Sequence, residues 1–393
     1  MALIKVRAFV AMLVMTLLWI CPVSGQAADI TLNAPARART AGPEALPVLR
    51  LTGRLETGDA DKLRAMLAKL PATAASKAGN PLAVIELSSI GGSLTEGFEI
   101  GLLLKQRKVI AVVRKRDLCL SSCALAFLGG NAFHVPSTYP EDCNLEIGGK
   151  VAFHNFSLNR NGLREVTSTD PVASRLQGFS DARGGAAELV KYAGDLGLPP
   201  NLVSSIIGRP TEDFNYIESI GQFLSLRICP IGVGRPPIAL PVQARNVCDH
   251  STGWRDPELL LDAREIPVAQ AKLYMLERLQ ENMRAAKARG RLADQLGDGA
   301  VMRVKEETDR LYDDLRAAGV ALPEILGATF EVGRQRAGGY EVVCYVSLSH
   351  DDPDKYNVVA RGPRGLTDPP LSPPENARRL FLFGRDDMIN PRP

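Results

Sequence analysis

The sequence predicts an α/β protein built on a mainly parallel sheet, with an α+β extension C-terminal to it. Two continuous apolar runs of strand length, LAVIELS (Leu82–Ser88) and KVIAVVR (Lys108–Arg114), have the composition of strands buried on both faces. Helical stretches alternate with them, which implies right-handed crossovers. The 393 residues are 45% hydrophobic and 23% charged, an ordinary globular composition long enough for one large domain or two moderate ones.

Residues 1–27 read as a secretory signal. Lys5 and Arg7 form a positive start, AFVAMLVMTLLWI (Ala8–Ile20) an apolar core, and SGQAA offers small residues at the −3 and −1 positions if cleavage follows Ala27. The apolar run is 13 residues, short for a bilayer, so an uncleaved anchor is the lesser alternative. Cys21 invites a lipoprotein reading, against which Ile20 is too bulky. The chain has 47 Lys and Arg against 44 Asp and Glu, and two of the basic residues, Lys5 and Arg7, lie in the signal. That near balance excludes a nucleic-acid surface or polybasic membrane patch.

Residues 28–46 show no period and read as a leader, and residues 47–228 as the main domain. PVLRLTGRL alternates like a strand. In GDADKLRAMLAKL, Leu63, Met66, Leu67 and Leu70 fall at i, i+3, i+4, i+7, a helix with Asp59 or Asp61 as acid at its start. After LAVIELS, SIGGS breaks the chain, LTEGFEIGLLLKQR reads as a helix and KVIAVVR as a strand. A helix follows from about Ser121 to Leu128, then short strands in AFHV and KVAFH. Residues 185–228 look helical. Residues 229–256 are Pro/Gly-rich, a linker or disulfide-pinned loop. Residues 257–362 carry two charged amphipathic stretches, expected as a helical hairpin, and a closing β-hairpin in GGYEVVCYVSLS and YNVVARG. Residues 363–393 read as a loose Pro-rich tail in which RRLFLF could add a strand.

Six cysteines remain after the signal: Cys119, Cys123, Cys143, Cys229, Cys248 and Cys344. In an exported chain an even number predicts disulfides. Cys229 and Cys248 flank the Pro/Gly-rich stretch and are the expected pair; at least two of Cys119, Cys123 and Cys143 are expected to bridge. A zinc site is the alternative, and no second CxxC or HxxxH spacing supports it, so no metal is expected.

Two stretches carry candidate chemistry. In ELSSIGGSLTEG a buried strand ends in Gly91–Gly92 and a helix begins at once, so backbone N–H groups can face an anion. A plain tight turn is the bland reading. In CLSSCALAFLGG, Ser121 and Ser122 open an apolar helix; such a serine is more often a cap than a nucleophile. A nucleophile there would gain from the helix N-terminus and would need a base. Of His134, His154, His250 and His350, His154 ends the strand KVAFH at a sheet edge.

LSSIGGSLTEGFEIG, CLSSCALAFLGG and GGKVAFHNF, in that order, resemble the Clp protease proteolytic subunit and its wider superfamily with the crotonases, and more closely exported Clp-protease-like proteins of Gram-negative bacteria. The resemblance covers roughly residues 47–228. It implies a Clp/crotonase-like ββα core, a serine hydrolase acting on peptide or protein, no cofactor, and the capacity to form homo-oligomers. It places the nucleophile at Ser121, the base at His154 and the acid at Asp213, with Asp195 second. The oxyanion hole falls on Gly91, Gly92 and the N–H of Ser122. Ile90 stands where the family has proline. The location is periplasmic or secreted, where no ATPase partner is expected. A catalytically silent scaffold is the rival reading; acyl-CoA chemistry needs a cytosolic cofactor, against which the signal argues.

Overall fold

The computed structural model describes residues 27–33, 46–71, 81–130, 144–155, 171–210, 213–252, 262–276, 308–320, 322, 324–336, 339–362, 365–367 and 375–392. The expectations for the signal core, Cys21, AFHV with His134, Cys143 and the stretch 277–307 lie outside these residues.

The protein is mixed α/β, with several sheets that contain parallel strands. A four-stranded sheet runs β1 (Asp29–Asn33), β2 (Val48–Thr52), β3 (Ala83–Ser88), β4 (Val109–Val112). β2, β3 and β4 are parallel, in the register Leu49↔Ile85 and Ile85↔Ala111. Pleating sends Leu49, Leu51, Ile85, Leu87 and Ala111 into the main core, and Val48, Val84, Ile110 and Val112 into a smaller cluster on the opposite face. Burial on both faces explains the unbroken apolar runs. The helices α1 (Asp59–Lys69), α2 (Leu94–Arg107) and α3 (Ser122–Gly129) contribute Leu63, Leu67, Ile100, Leu104, Phe127 and Leu128 to the main core.

β1 corrects the reading of residues 28–46 as a leader throughout. Its five residues, DITLN, are almost wholly exposed and pair antiparallel with β2. Ile30 and Leu32 do alternate with polar residues, but the pattern is only five residues long and its apolar face is weakly buried: Ile30 packs partly on the main core and Leu32 is exposed.

Two smaller sheets continue the chain: β5 (Leu118–Leu120), β7 (Lys150–Phe153) and β8 (Asn215–Tyr216), and β6 (Leu145–Glu146) with β9 (Pro230–Ile231). Parallel bridges Ser89↔Cys119 and Val113↔Leu145 join them to the first sheet. Helices α4 (Pro171–Leu196), α5 (Pro200–Ile207) and α6 (Ile220–Ser225) follow.

Residues 229–256, expected as a linker or loop, contain the helix α7 (Leu240–Thr252). The expected Cys229–Cys248 disulfide is not formed. Cys248 bonds Cys344 instead, 96 residues away, and Cys229 is bonded elsewhere. The helix buries Cys248 with Ala244 and Val247 against an antiparallel sheet, which brings its thiol to Cys344. That sheet runs β10 (Arg264–Glu265), β11 (Ala328–Arg336), β12 (Gly339–Leu348), β13 (Tyr356–Gly362), β14 (Gly365–Thr367), and includes the expected β12–β13 hairpin. The helices α8 (268–276) and α9 (Thr308–Ala317) supply Met275, Leu276 and Tyr312 to a cluster with Tyr345 and Val359.

The tail is not loose where it is described. Glu375–Leu382 is a 3-10 helix rather than a strand, and Leu380, Phe381, Leu382 and Phe383 are buried. The apolar residues are consecutive, not alternating, and serve both large cores at once. His250 of α7 meets this segment: its Nε2 lies 2.8 Å from the Phe383 carbonyl oxygen, and its ring packs tilted against Phe381, 5.0 Å between centroids.

Loss of the Cys248–Cys344 bond opens a loop of 96 residues. Cys344→Ala should lower unfolding free energy by on the order of 4 kcal/mol in urea titrations, and peptide mapping of unreduced protein should recover the Cys119–Cys123 and Cys248–Cys344 pairs.

Burial pushes the His250 pKa down from 6.5 to about 4, assisted by Arg385 and opposed by the Phe383 carbonyl, Asp249 and Asp387. Above pH 6.5 both folded and unfolded forms are neutral there. Between 6.5 and 4 the unfolded chain takes a proton that the folded one refuses, so stability falls as pH falls, by up to about 3 kcal/mol. His250→Gln, compared by urea midpoints at pH 7 and pH 5, should flatten that acid limb.

Candidate functional site

The three sequence stretches meet where β3, β5 and β7 end. Ser89, just past β3, donates its N–H to the Leu118 carbonyl at 2.7 Å and accepts from Leu120 N–H at 2.9 Å. This lays the Gly91–Gly92 turn beside the end of β5. Ser89 Oγ accepts the Gly91 N–H at 3.1 Å. Gly91 has φ 89° and Gly92 φ 155°, conformations that L side chains rarely adopt. A Cβ on Gly91 would lie 2.7 Å from Ser121 Cβ and 3.1 Å from Ser122 N; one on Gly92 would lie 2.1 Å from the Leu55 carbonyl oxygen. The turn is pinned from its other side by Leu55, whose N–H donates to Gly91 O at 3.0 Å and whose carbonyl accepts Ser93 N–H at 2.9 Å. Among the described residues Gly92 N–H has no acceptor. Ser93 caps α2, accepting Glu96 N–H.

Ser121 sits at the strand-to-helix corner with φ 57° and ψ −125°, a combination that costs a non-glycine residue about 1–3 kcal/mol. Its N–H donates to Ala152 O at 2.9 Å, extending the β5–β7 ladder by one rung. Its side chain makes no cap hydrogen bond, although it occupies the N-cap position. The first N–H groups of α3, Ser122 among them, have no intrahelical acceptor. Ser122 differs from its neighbour in every respect. It is 1% exposed, and among the described residues its Oγ has no hydrogen-bond partner. It is packed into the crossing of α2 and α3, where a Cβ on Gly97 would lie 2.5 Å from Ser122 O. The Cys119–Cys123 disulfide straddles both serines.

His154 follows β7 directly. β5 and β7 are parallel with Leu120 opposite Ala152, so Ser121 and His154 leave the sheet at the same end. The imidazole is half-buried and lies 4.6 Å from the ring of Phe214, centroid to centroid. The antiparallel pair Phe153↔Asn215 sets that contact.

The acid is placed differently from the resemblance. Asp213 is exposed and pairs with Arg209 at 2.9 Å, one helical turn away in sequence. Asp195 is exposed on α4, and its carbonyl accepts from Lys105 Nζ. Neither carboxylate has His154 as a partner.

Sequence reasoning missed a cleft of about 340 Å³ beside the Gly91–Gly92 turn, lined by Gly53, Arg54, Ser88, Ile90, Arg116 and Leu118. Ile90 and Leu118 are exposed apolar residues, and Arg54 and Arg116 form no ion pair among the described residues. Nearby Arg50 and Arg114 are spent on Glu86 and Asp117. The exposed Ile90, where a turn proline stands in the resembled family, is the one signal that could have marked it. Among the described residues no cluster of His, Cys, Asp and Glu could hold a metal ion, and no helix is long and apolar enough to cross a membrane.

Gly97→Ala should cost about 1–3 kcal/mol of unfolding free energy in urea titrations, despite alanine's better helix propensity, because the added methyl meets α3 backbone that cannot turn aside.

No protein-family model matches this chain, and no curated protein is significantly similar to it.

Proposed function

We propose that the protein is an exported serine hydrolase acting on exposed peptide segments. One observation carries the reading: the strained, uncapped Ser121 held against the Gly91–Gly92 turn. A serine that merely capped α3 would hydrogen-bond the helix and would need no left-handed backbone. A strained corner that lifts one hydroxyl from a strand end is the arrangement by which nucleophilic serines are presented.

In this reading Ser121 Oγ adds to the acyl carbon while its proton passes to His154. The N–H groups of Gly92 and Ser122 receive the oxyanion, with the N-terminus of α3 behind them. Collapse breaks the carbon–nitrogen bond, and His154 returns the proton to the leaving amine. Water, deprotonated by His154, then releases the acyl group from Ser121 as the acid. The cleft beside the turn offers apolar contact from Ile90 and Leu118 and unpaired charge from Arg54 and Arg116, which favours segments with an apolar residue next to a carboxylate. The disulfides and the signal-like first 27 residues support export. In this reading Asp213, paired with Arg209, is not the group that orients His154.

A fluorophosphonate probe with adduct mapping tests the assignment. Labelling should fall on Ser121, vanish in Ser121→Ala, and slow by roughly 10³-fold in His154→Ala. Ser122→Ala should label normally and gain about 1 kcal/mol in stability, because it removes a buried hydroxyl that has no partner among the described residues. Loss of labelling in Ser122→Ala alone would shift the nucleophile by one residue. No labelling of the wild type would leave the scaffold reading.

A further inference from the structure

Asp59, the first residue of α1, is fully buried. One carboxylate oxygen accepts Glu56 N–H at 2.8 Å and Ala28 N–H at 3.2 Å; the other accepts Lys62 Nζ at 2.7 Å. Lys62 is half-exposed, so the buried carboxylate has only a partly solvated counter-charge. Ala28 is buried as well, and its nitrogen points at the carboxylate. Ala27, just before it, is the residue after which the signal pattern places cleavage. These two facts are independent: one is a small-residue pattern, the other the address of a backbone nitrogen.

We propose that processing between Ala27 and Ala28 creates an α-ammonium that pairs with Asp59, and that this buried ion pair fixes the loop behind the Gly91–Gly92 turn. Water, with a processing peptidase of exported chains, adds across the Ala27–Ala28 peptide bond. Ala27 leaves as a carboxylate on the leader, and the Ala28 amine takes up the proton. The uncleaved chain offers Asp59 one neutral N–H at this point. The processed chain offers a full charge and three donors to a carboxylate that is itself fully buried in the whole chain. From Asp59 the constraint runs a short way. Asp59 holds Glu56 N–H, and the adjoining Leu55 holds Gly91 and Ser93. Glu96, at the start of α2, accepts from Gly58 and Ala60 N–H at 2.9 and 2.8 Å and so closes the same loop. The inference rests on the export reading, and not on serine chemistry.

The test compares chains that begin at Ala28 and at Ala27. The longer chain keeps the Ala28 N–H bond to Asp59 but moves the charge one residue away. Intact mass of exported protein should give Ala28 as the first residue. The melting midpoint of the Ala28 chain should exceed that of the Ala27 chain by roughly 5 °C, and Asp59→Asn should abolish the difference. A different first residue, equal midpoints for the two chains, or a difference that survives Asp59→Asn overturns the proposal. A midpoint difference of the expected kind in a protein that fluorophosphonate never labels upholds the ion pair while removing the hydrolase reading.

Discussion

The close approach of α2 and α3 is the constraint on which the site depends. Gly97 and Gly101 of α2 face Ser122 and Gly129 of α3 with no room for a Cβ: the added atom would lie 2.5 Å from Ser122 O at Gly97, and one at Gly129 would lie 2.1 Å from Gly101 O. Tyr192 of α4 seals the crossing, packing its ring at a tilt against Phe98 and donating to Leu125 O at 2.6 Å. Burial raises its phenol pKa far above the ordinary value, so it stays a donor. Because α2 begins two residues after Gly92 and α3 begins at the residue after Ser121, the distance between the helices also sets the distance between the Gly91–Gly92 turn and Ser121. A wider crossing would separate the Gly91–Gly92 turn from Ser121 even if every local conformation survived.

The same geometry explains why two adjacent serines have separate fates. The turn at Ser121 must reverse direction within one residue, which sends Ser121 toward the Gly91–Gly92 turn and Ser122 into the helix crossing. Strain at one residue needs support from its neighbours. The corner has that support from the Ser121 N–H bond to β7, from Gly91 packed on its Cβ, and from a disulfide that ties the residue two before it to the residue two after it.

Much of the N-terminal fold was legible because burial on both faces leaves unbroken apolar runs, as in β3 and β4, and because helical periods mark α1 and α2. The strand–Gly-Gly–helix and Ser-Ser–helix motifs were legible for the same reason: each is a change of period at a fixed residue. What was not legible depends on distant partners. The cap of α1 comes partly from Glu96, 36 residues from Ala60, and not only from the aspartates at its own start. The partner of Cys248 lies 96 residues away, and no local pattern prefers it to Cys229. β1 is short, mostly exposed and held by its pairing with β2, which follows it after more than a dozen residues. Asp213 matched the expected acid by order along the chain, but its side chain is spent on Arg209.

Asn390 has an effect out of proportion to its size. Its amide oxygen accepts Gly148 N–H at 2.9 Å, and its amide nitrogen donates to Gly149 O at 2.8 Å, at the entry to β7. Arg392 adds an ion pair to Glu218, and Ile389 N–H donates to the carbonyl of Glu218, just beyond β8. The strand that delivers His154 is therefore stitched by residues some 240 positions later. For a chain threaded through a membrane N-terminus first, this sets an order of events. Ser121 and His154 would both be across long before the stitch that secures their strand, so β7 would reach its final rigidity only once Asn390 and Arg392 have followed. Closure of β7 is then a late event, timed by chain connectivity alone.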